Sequence, residues 1–583
     1  MKHRSLILTL SIVILAMLAC GFTPTPVEAD PVQSNAPQFQ VTVAPQPVTF
    51  NIVGTSHLAP LVANKVFADF PAWLQKTYPD MPAVTITVDS DKPATYIRDM
   101  LDPTLGNKSP DVDAYIPGSR LWLPTVPPGY KPFTQDTFIK TYDGILVTDA
   151  AKLKTLGWDP TNVSINDIAL VVKSGALRLA SPSPSDDSGA QFDIAMSTYQ
   201  CGHVVLLKSC FDDQNVLDSI AALMKNILRS AENPNNLVAL AVSDRTSGNV
   251  SFDAAILDEA HAIQLNQLLE KSKLQPMTVI YVQGALAVSD SPIVYNDNGN
   301  SSKLAVYKKL VEYLKTDATK ALLGSLGYRT TQYGMQIDNP DLTVFKPDWG
   351  IITDKNFLVM YNPIKSVIAK ALATYQVSLR RPSYRIACID MSGSMGNVGE
   401  PGSGLHQVDN ALQQILIQTN AEQHLIQAGP DDVFVPWAFT QISHKALAPS
   451  IIGNDPASYT TLYNTIHDTF VARLIQGNTN MFGCVEDAYD YIAKNYDPKY
   501  SYSVVAFTDG SSNAGPNAAM FAEYYKSYVT ANHYSFPTYG IAFGAANTTL
   551  MHTFETTTKG FVYDATGPNA DLNLILSKVF GNN

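Results

Sequence analysis

Two apolar runs, each ending in a polar, glycine-rich turn, constrain most strongly how this 583-residue chain folds. Residues 385–389 precede the turn at 390–394, and residues 502–507 precede the turn at 508–510. Continuous apolar runs of this length are typical of strands that are buried on both faces of a parallel sheet. Open parallel sheets place their sites in loops at the carboxyl ends of such strands. The sequence therefore predicts an α/β domain with a site formed by these turns.

The turns carry oxygen donors that suit a hard divalent cation. These donors are Asp390, Ser392 and Ser394 in the first turn, Asp509 in the last, and Thr479 in a Gly-Asn-Thr-Asn-Met segment between them. Carboxylates and hydroxyls suit Mg²⁺, Mn²⁺ or Ca²⁺ better than zinc or copper. Hydroxyls are neutral, so a carboxylate from another protein would be drawn to the open coordination position. The alternative is that Asp390 and Asp509 only cap helices.

These five residues resemble the metal-ion-dependent adhesion site of the von Willebrand factor A family, which also occurs in integrin I domains. The resemblance implies that Ser392 and Ser394 bind the metal directly and that Thr479 binds it directly or through water. It implies that Asp390 and Asp509 act partly through water. In the family, binding is coupled to a shift of the terminal helix. A metal-free domain of the same fold is the alternative.

The chain around these turns alternates predicted strands with predicted helices from residue 382 to residue 583. This alternation indicates a doubly wound, mostly parallel, Rossmann-like sheet with helices on both faces. Helices are predicted after the turn at 390–394, from Thr479 to about residue 495, near 518–530, and from about residue 570. Further strands are predicted at 432–439 and 537–544.

The amino terminus has the pattern of a secretory signal. A basic start precedes an uncharged run that ends at residue 19, and Cys20 follows. Residues 17–20 resemble a bacterial lipobox, which implies a signal peptide at 1–19 and a lipidated Cys20. The protein is then extracytoplasmic and lipid-anchored to the cell membrane. A competing cleavage site at 27–29 would instead give a secreted protein.

Residues 20–47 are rich in proline and predict an extended tether without a core. The whole sequence is 45% hydrophobic and 16% charged, which is typical of well-packed domains. A net charge of −12 argues against nucleic acid or an anionic membrane as a partner. Contact with a membrane is therefore expected only through the lipid anchor.

Four cysteines remain when Cys20 is assigned to lipid. Cys201 and Cys210 are close in the sequence, and an extracellular protein can keep them oxidised, so a disulfide is one of two alternatives for this pair. Cys388 lies in the predicted central strand and Cys484 lies on the helix after Thr479. Both are predicted to be buried free thiols.

Residues 48–348 form a second predicted α/β region. Strands are predicted at 48–53 and 83–88, and glycine or hydroxyl residues follow strands at 54–56 and 181–189. Backbone N–H groups at a helix start, beside such residues, are suited to an anion or a polar ligand. A connecting region at 349–381 contains a predicted helix at 364–376.

This second region resembles the type 2 periplasmic solute-binding proteins, which are receptors of ATP-driven importers. Supporting stretches are residues 110–119 and 258–266. The resemblance implies two α/β lobes that hinge around a cleft for a small-molecule solute, with Ser56, Ser119 and Ser188 near it. Helix capping is the alternative role for Ser56 and Ser188.

The sequence contains no His-Glu-x-x-His motif, no Gly-x-Ser-x-Gly motif and no phosphate loop, so we predict that the protein is not an enzyme. The leading hypothesis is a cell-surface lipoprotein that binds a protein partner through a divalent metal, with an acidic residue of the partner as the last ligand. The alternative is a solute receptor of an ATP-driven importer, in which the carboxyl-terminal domain serves only for docking.

Overall fold

The structure is a computed structural model. It describes residues 46–101, 111–123, 135–297, 299–331, 334–423, 425–441, 444–446, 450–451, 455–471, 477–532, 534–544, 546, 548–566 and 571–580. The predicted signal peptide, Cys20 and nearly all of the predicted tether lie outside these residues. Residues 46–583 form one compact unit. No helix in the described part of the chain is long and apolar enough to cross a bilayer.

Within the described residues, seventeen strands form three sheets. The strands are β1 Val48–Thr55, β2 Val84–Lys92, β3 Ala114–Ile116, β4 Gln135–Asp143, β5 Ile145–Thr148, β6 Leu179–Pro182, β7 Arg229–Ala231, β8 Ala254–Leu257, β9 Thr278–Tyr281, β10 Ala287–Tyr295, β11 Ser383–Asp390, β12 Val433–Phe439, β13 His444–Ala446, β14 Ser450–Ile451, β15 Ser501–Thr508, β16 Thr538–Ala542 and β17 Val562–Asp564.

The helices cover the faces of these sheets. They are α1 Ala59–Ala63, α2 Phe70–Thr77, α3 Ala94–Leu101, α4 Ala150–Leu156, α5 Ile165–Lys173, α6 Asp187–Gln200, α7 Gln214–Met224, α8 Pro234–Ser247, α9 Glu259–Lys271, α10 Ser301–Leu314, α11 Asp317–Ser325, α12 Lys365–Thr374, α13 Gly404–Leu416, α14 Gln418–Gln423, α15 Pro456–Val471, α16 Met481–Lys494, α17 Ala518–Asn532, α18 Thr548–Met551, α19 Thr553–Thr558 and α20 Leu572–Phe580.

The amino-terminal region contains two five-stranded sheets, which we call the first and second lobes with their helices. The first lobe has the order β2-β1-β3-β10-β4 and the second has the order β7-β6-β8-β5-β9. The chain passes between the lobes directly after β4, at Gly144, and again between β9 and β10. Gly144 has a φ of +78°, and a Cβ there would lie 2.1 Å from the carbonyl oxygen of Ala285. The two crossings therefore touch, and the predicted two-lobed arrangement is present.

The carboxyl-terminal sheet has five neighbouring parallel strands in the order β12-β11-β15-β16-β17. The short strands β13 and β14 pair with β12 in antiparallel orientation. All eight residues of β11 are buried, as expected of a central strand with helices on both faces. The predicted doubly wound, mostly parallel sheet is confirmed, and β13, β14 and β17 are additions that the sequence pattern did not indicate.

Residues 349–381 are more than a connector. Trp349 and Ile351 pack into a core of the second lobe, and the buried face of α12 packs into another with Val367, Ile368 and Leu372. The predicted helix at 364–376 is α12, which continues into a π-helical turn at Tyr375–Leu379. Because this segment contributes to the core, the second lobe is built from residues on both sides of residue 348.

The disulfides differ in part from the prediction. Cys201 and Cys210 form one, with an S–S distance of 1.99 Å, which resolves the two alternatives for this pair. Cys388 and Cys484 form another, with Cα atoms 6.2 Å apart, so the prediction of buried free thiols was wrong. The reason is that α16 packs directly on β11, which brings together two cysteines separated by 96 positions.

Removing the Cys388–Cys484 bridge is expected to destabilise the protein strongly. In the Cys388→Ala/Cys484→Ala variant, loss of a loop closure of this size costs about 4–5 kcal/mol in the chain-entropy model. The Cys201→Ala/Cys210→Ala variant opens a much shorter loop, with a separation of 9, and should lose less. Urea denaturation of both variants measures the difference, and equal losses would contradict this account.

Asp193 makes stability depend on pH. It lies on α6, is 1% exposed, and its carboxyl oxygens have no hydrogen-bond partner among the described residues. Burial raises the pKa of Asp193 from 3.8 to about 7. The folded state therefore holds the proton more tightly than the unfolded state, and stability falls as the pH rises from 3.8 through about 7.

We expect Asp193→Asn to raise the free energy of unfolding at pH 8 by about 4 kcal/mol, because three pKa units correspond to about that energy. At pH 4 the substitution should change little, since the native carboxyl is then protonated. Asp218→Asn, at an exposed position on α7, is the control. A gain for Asp193→Asn that is the same at both pH values would show that the native carboxyl does not titrate.

Candidate functional site

Two of the three predicted ligand segments meet at the carboxyl ends of β11 and β15. Asp390 is the last residue of β11, and Thr508 is the last residue of the neighbouring parallel strand β15. The Thr508 hydroxyl donates to Asp390 Oδ2 at 2.7 Å and accepts from the Gly510 amide at 3.1 Å. Asp509 lies between Thr508 and Gly510 in the chain, so both predicted carboxylates are at the same sheet edge.

The first turn presents its two serine hydroxyls together. The Ser392 amide donates to Asp390 Oδ1 at 2.9 Å, and the chain then makes a short 3₁₀ turn at Gly393–Met395. Ser392 Oγ and Ser394 Oγ are 3.2 Å apart. Ser392 is 1% exposed, whereas Ser394 is exposed. The pair therefore leads from the buried carboxylate to the protein surface.

Thr479 is tied to the loop that contains Asp509. The Asn513 side chain accepts from the Thr479 amide at 2.8 Å, and the amides of Asn513 and Ala514 donate to the Thr479 carbonyl at 3.0 and 3.1 Å. Thr479 is 1% exposed and directly precedes Asn480, whose side chain caps α16. Hydrogen bonds thus connect the three segments, and the predicted residues lie on one connected set of loops.

The two carboxylates at this edge form no ion pair with the residues that the structure describes. Asp390 is fully buried and Asp509 is 4% exposed. Burial raises the pKa of Asp390 to about 6; hydrogen bonds from Thr508 and Ser392 act to lower it, and the charge of Asp509 acts to raise it. Among the residues that the structure describes, no ion pair includes either carboxylate. Carboxylate and hydroxyl oxygens with this uncompensated charge are a donor set that could hold Mg²⁺, Mn²⁺ or Ca²⁺.

The alternative role of Asp390 and Asp509 as helix caps does not apply to the following α-helices. Ser403 caps α13, and the side chain of Asn517 accepts from the Met520 amide in the first turn of α17. The two carboxylates therefore sit on the loops before these helices and do not serve as their caps.

The three serines predicted near a cleft lie between the two lobes. All are buried: Ser56 is 6% exposed, Ser119 is 0% and Ser188 is 3%. Ser56 Oγ donates to Asp186 Oδ2 at 3.0 Å, and Ser188 Oγ donates to Asp258 Oδ2 at 3.0 Å. Ser119 Oγ accepts from the Gln191 side chain at 2.5 Å. Two of these bonds, Ser56–Asp186 and Ser119–Gln191, join side chains of opposite lobes.

Capping explains only one of these serines. Ser119 caps a short 3₁₀ helix by accepting from the Leu121 amide, although capping was not the role expected of it. Asp186 is the cap of α6, and it accepts from the Ser188 amide. Ser56 lies inside a 3₁₀ turn at Ser56–Leu58 and makes no cap bond. The capping interpretation of Ser56 and Ser188 was therefore wrong.

A buried polar cluster beside these serines was not found from the sequence. It contains His57, Asp258 and His261, all at most 1% exposed. His261 Nδ1 is 2.5 Å from Asp258 Oδ2, and its Nε2 is 3.2 Å from the side-chain oxygen of Asn235. The signal in the sequence is an Asp and a His three positions apart at the start of a helix that follows a buried strand. Such spacing puts both on one side of the helix.

The side chains of these residues are buried at the interface between the lobes. A cavity of about 10 Å³ lies beside Ser56 and Asp186 and is also lined by Lys578 of α20. Burial raises the pKa of Asp143, Asp186 and Asp187 and lowers the pKa of His57. A sugar or a peptide would enter this part of the cleft only after the lobes separate.

No protein-family model matches the chain, and no curated protein matches it. Several solved structures are similar to about half of it. Iron-bound HitA from Pseudomonas aeruginosa is 15% identical with a TM-score of 0.37, over 56% of this chain and 96% of that chain. Maltose-bound MalE3 of T. maritima is 12% identical with a TM-score of 0.40, over 56% and 93%. The sulfate-binding protein SubI from Mycobacterium tuberculosis is 12% identical with a TM-score of 0.31, over 49% and 88%. We take the function from the residues of the sites described above.

Proposed function

We propose that this protein is an extracytoplasmic binding protein whose carboxyl-terminal domain is of the von Willebrand factor A type and binds a partner protein through a divalent cation. The observation that carries the proposal is the meeting of three distant segments at one sheet edge, where Asp390 and Asp509 are buried and form no ion pair within the described residues. Ser392, Ser394 and Thr479 supply the neutral oxygen donors. A carboxylate of the partner would complete the coordination.

The exposure of the donors supports a site that is open to a partner. Asp390 is buried and Ser394 is exposed, so a cation held between them would be reached from the protein surface. Neutral hydroxyl ligands leave the cation with net positive charge, which favours an acidic group over a neutral one. The proposal includes a lipid anchor on Cys20, and two disulfides suit an oxidising, extracytoplasmic compartment.

The cation step is tested by calorimetric titration of the purified protein with Mg²⁺, Mn²⁺ and Ca²⁺. One saturable site is expected for the natural protein, and Asp509→Ala should abolish it, since one of two carboxylate charges at the centre is lost. Asp497→Ala, at an exposed turn before β15, is the matched control and should bind like the natural protein. Equal binding by all three proteins would refute the proposed centre.

The partner step is tested by retention of surface proteins on the immobilised protein in Mn²⁺ and their release by EDTA. A partner that binds through the cation should be lost with Asp509→Ala and retained with Asp497→Ala. Proteins that stay bound in EDTA, with no metal-dependent component, would count against adhesion through the cation.

A solute receptor of an ATP-driven importer is the second candidate, favoured by the position of Ser56, Ser119 and Ser188 between the lobes. In that case the carboxyl-terminal domain would only dock the receptor. The two functions are separated by hydrogen exchange: a small solute should protect residues 48–348, whereas a metal-dependent partner should protect the loops around Asp390 and Thr479.

A further inference from the structure

The cluster between the lobes has the composition of a second metal site. One ligand atom of each of His57, Asp258 and His261 lies within 4.8 Å of the ligand atoms of the other two. His57 follows β1 of the first lobe, whereas Asp258 and His261 stand at the start of α9, after β8 of the second lobe. The three residues therefore come from opposite sides of the interface.

The side chains of His57, Asp258 and His261 suit a different class of metal ion from the one expected at Asp390. Two imidazoles and a carboxylate are typical ligands of zinc and of other divalent transition metals such as cobalt and iron. Calcium and magnesium prefer oxygen ligands alone. The side-chain oxygen of Asn235, 3.2 Å from His261 Nε2, is placed to orient that ring, as groups around metal-binding histidines commonly do.

Asp187 is a second observation that points to a bound cation. It is fully buried, and its pKa is raised by that burial, against the Thr55 hydroxyl, the Trp122 indole N–H and the Gly118 amide, which act to lower it. It also faces His57, because a Cβ placed on Gly118 would lie 2.4 Å from Asp187 Oδ2 and 2.4 Å from His57 Cδ2. These neutral donors do not offset the cost of burying the carboxyl group, and a cation beside it would lower that cost.

The charged groups around the cluster also favour a bound cation. Asp143 is also fully buried, and burial raises its pKa against hydrogen bonds from Ser289 and Ser188, which act to lower it. Asp186 lies beside Asp187 and bonds to Ser56. In the described ranges, no lysine or arginine forms an ion pair with Asp143, Asp186, Asp187 or Asp258. The interface thus collects four carboxyl groups around two histidines.

We propose that His57, Asp258 and His261, with Asp187 as a further ligand, bind one divalent transition-metal ion between the two lobes. The ion takes the place of the proton between His261 Nδ1 and Asp258 Oδ2. Two donors on one zinc ion lie roughly 3.3 Å apart, given bond lengths of about 2.0 Å. The ligand atoms of His57, Asp258 and His261 lie within 4.8 Å of one another, so these three need only small side-chain rotations to reach one ion, whereas Asp187 has to move toward them. Since the ligands come from both lobes, the bound ion holds the lobes together.

The test uses the purified protein after EDTA treatment, titrated with Co²⁺ and followed by visible absorption and by metal content. The natural protein is expected to bind one equivalent of Co²⁺ with absorption bands of a nitrogen-ligated ion. His57→Ala/His261→Ala should weaken binding at least a hundredfold. Asp187→Asn, which preserves volume, should weaken it about tenfold.

Ser392→Ala/Ser394→Ala separates this inference from the proposed adhesion function, because it removes donors of the other centre and should leave the Co²⁺ bands unchanged. Co²⁺ bands that persist in His57→Ala/His261→Ala, or a natural protein without saturable Co²⁺ binding, would overturn the inference. If the double histidine variant does not fold, His57→Gln decides in its place: loss of the bands supports the site and their retention refutes it.

Discussion

Ser392→Ala/Ser394→Ala is expected to lower the affinity for Mg²⁺ and Mn²⁺ by about a hundredfold or more, while the metal-free protein stays folded. The two hydroxyls lie 3.2 Å apart and are the donors that connect the buried Asp390 with the surface. Loss of a group that only hydrogen-bonds to a metal ligand usually lowers the metal affinity ten- to a hundredfold. Loss of the ligands themselves should lower it at least as much.

The small effect on stability follows from the contacts of the two serines. The bond from the Ser392 amide to Asp390 Oδ1 uses the backbone and survives the substitution. The bond between the two hydroxyls is lost, which costs about 1 kcal/mol. Ser511→Ala, in the loop after Asp509, is the matched control and should bind metal normally. Calorimetric titration and thermal unfolding measure both effects, and unchanged affinity in the double variant would contradict the assignment of the serines as ligands.

Arg329→Met is expected to destabilise the protein strongly, with a loss of about 3–5 kcal/mol in the free energy of unfolding. Arg329 and Glu259 are both fully buried, and the guanidinium donates to both carboxyl oxygens at 2.6 Å. It also donates to the carbonyl oxygens of Met335 and Ile352. Removing the guanidinium leaves a buried carboxylate and two carbonyls without their partner. Glu259 opens α9, so the same pair holds the helix that carries His261.

A double-mutant cycle makes this prediction specific. Arg329→Met/Glu259→Gln should be less destabilised than Arg329→Met, because no unpaired buried charge remains. Lys346→Ala removes a half-exposed pair with Glu270 and should cost at most about 1 kcal/mol. Urea denaturation measures all three, and an Arg329→Met midpoint equal to that of Lys346→Ala would show that the buried pair contributes little.

The elements that local pattern determines were predictable. The strands around residues 385–389 and 502–507 are β11 and β15, and the helix predicted from Thr479 is α16 at Met481–Lys494. These segments carry their own apolar periodicity and end at recognisable caps. Residues 58–70 carry apolar positions at helical spacing, yet α1 ends at Ala63 and α2 begins at Phe70, because the chain turns between them at Lys65, which has a φ of +61°.

The features that were missed depend on contacts between residues remote in the sequence. The Cys388–Cys484 bridge requires that α16 pack on β11, and the His57–His261 cluster requires that the lobes close. The buried ion pair between Lys578 of α20 and Glu232 is another example, with oxygen and nitrogen 3.0 Å apart. It fixes the terminal helix to the second lobe. No local pattern in the sequence records such a contact.

Diffraction from crystals of the protein grown with Mn²⁺, recorded at the manganese absorption edge, would locate the bound cation. We expect an anomalous peak between the side chains of Asp390, Ser392, Ser394 and Thr479, within bonding distance of serine oxygens. A fully occupied Mn²⁺ ion elsewhere in the molecule, with no peak at this sheet edge, would contradict it.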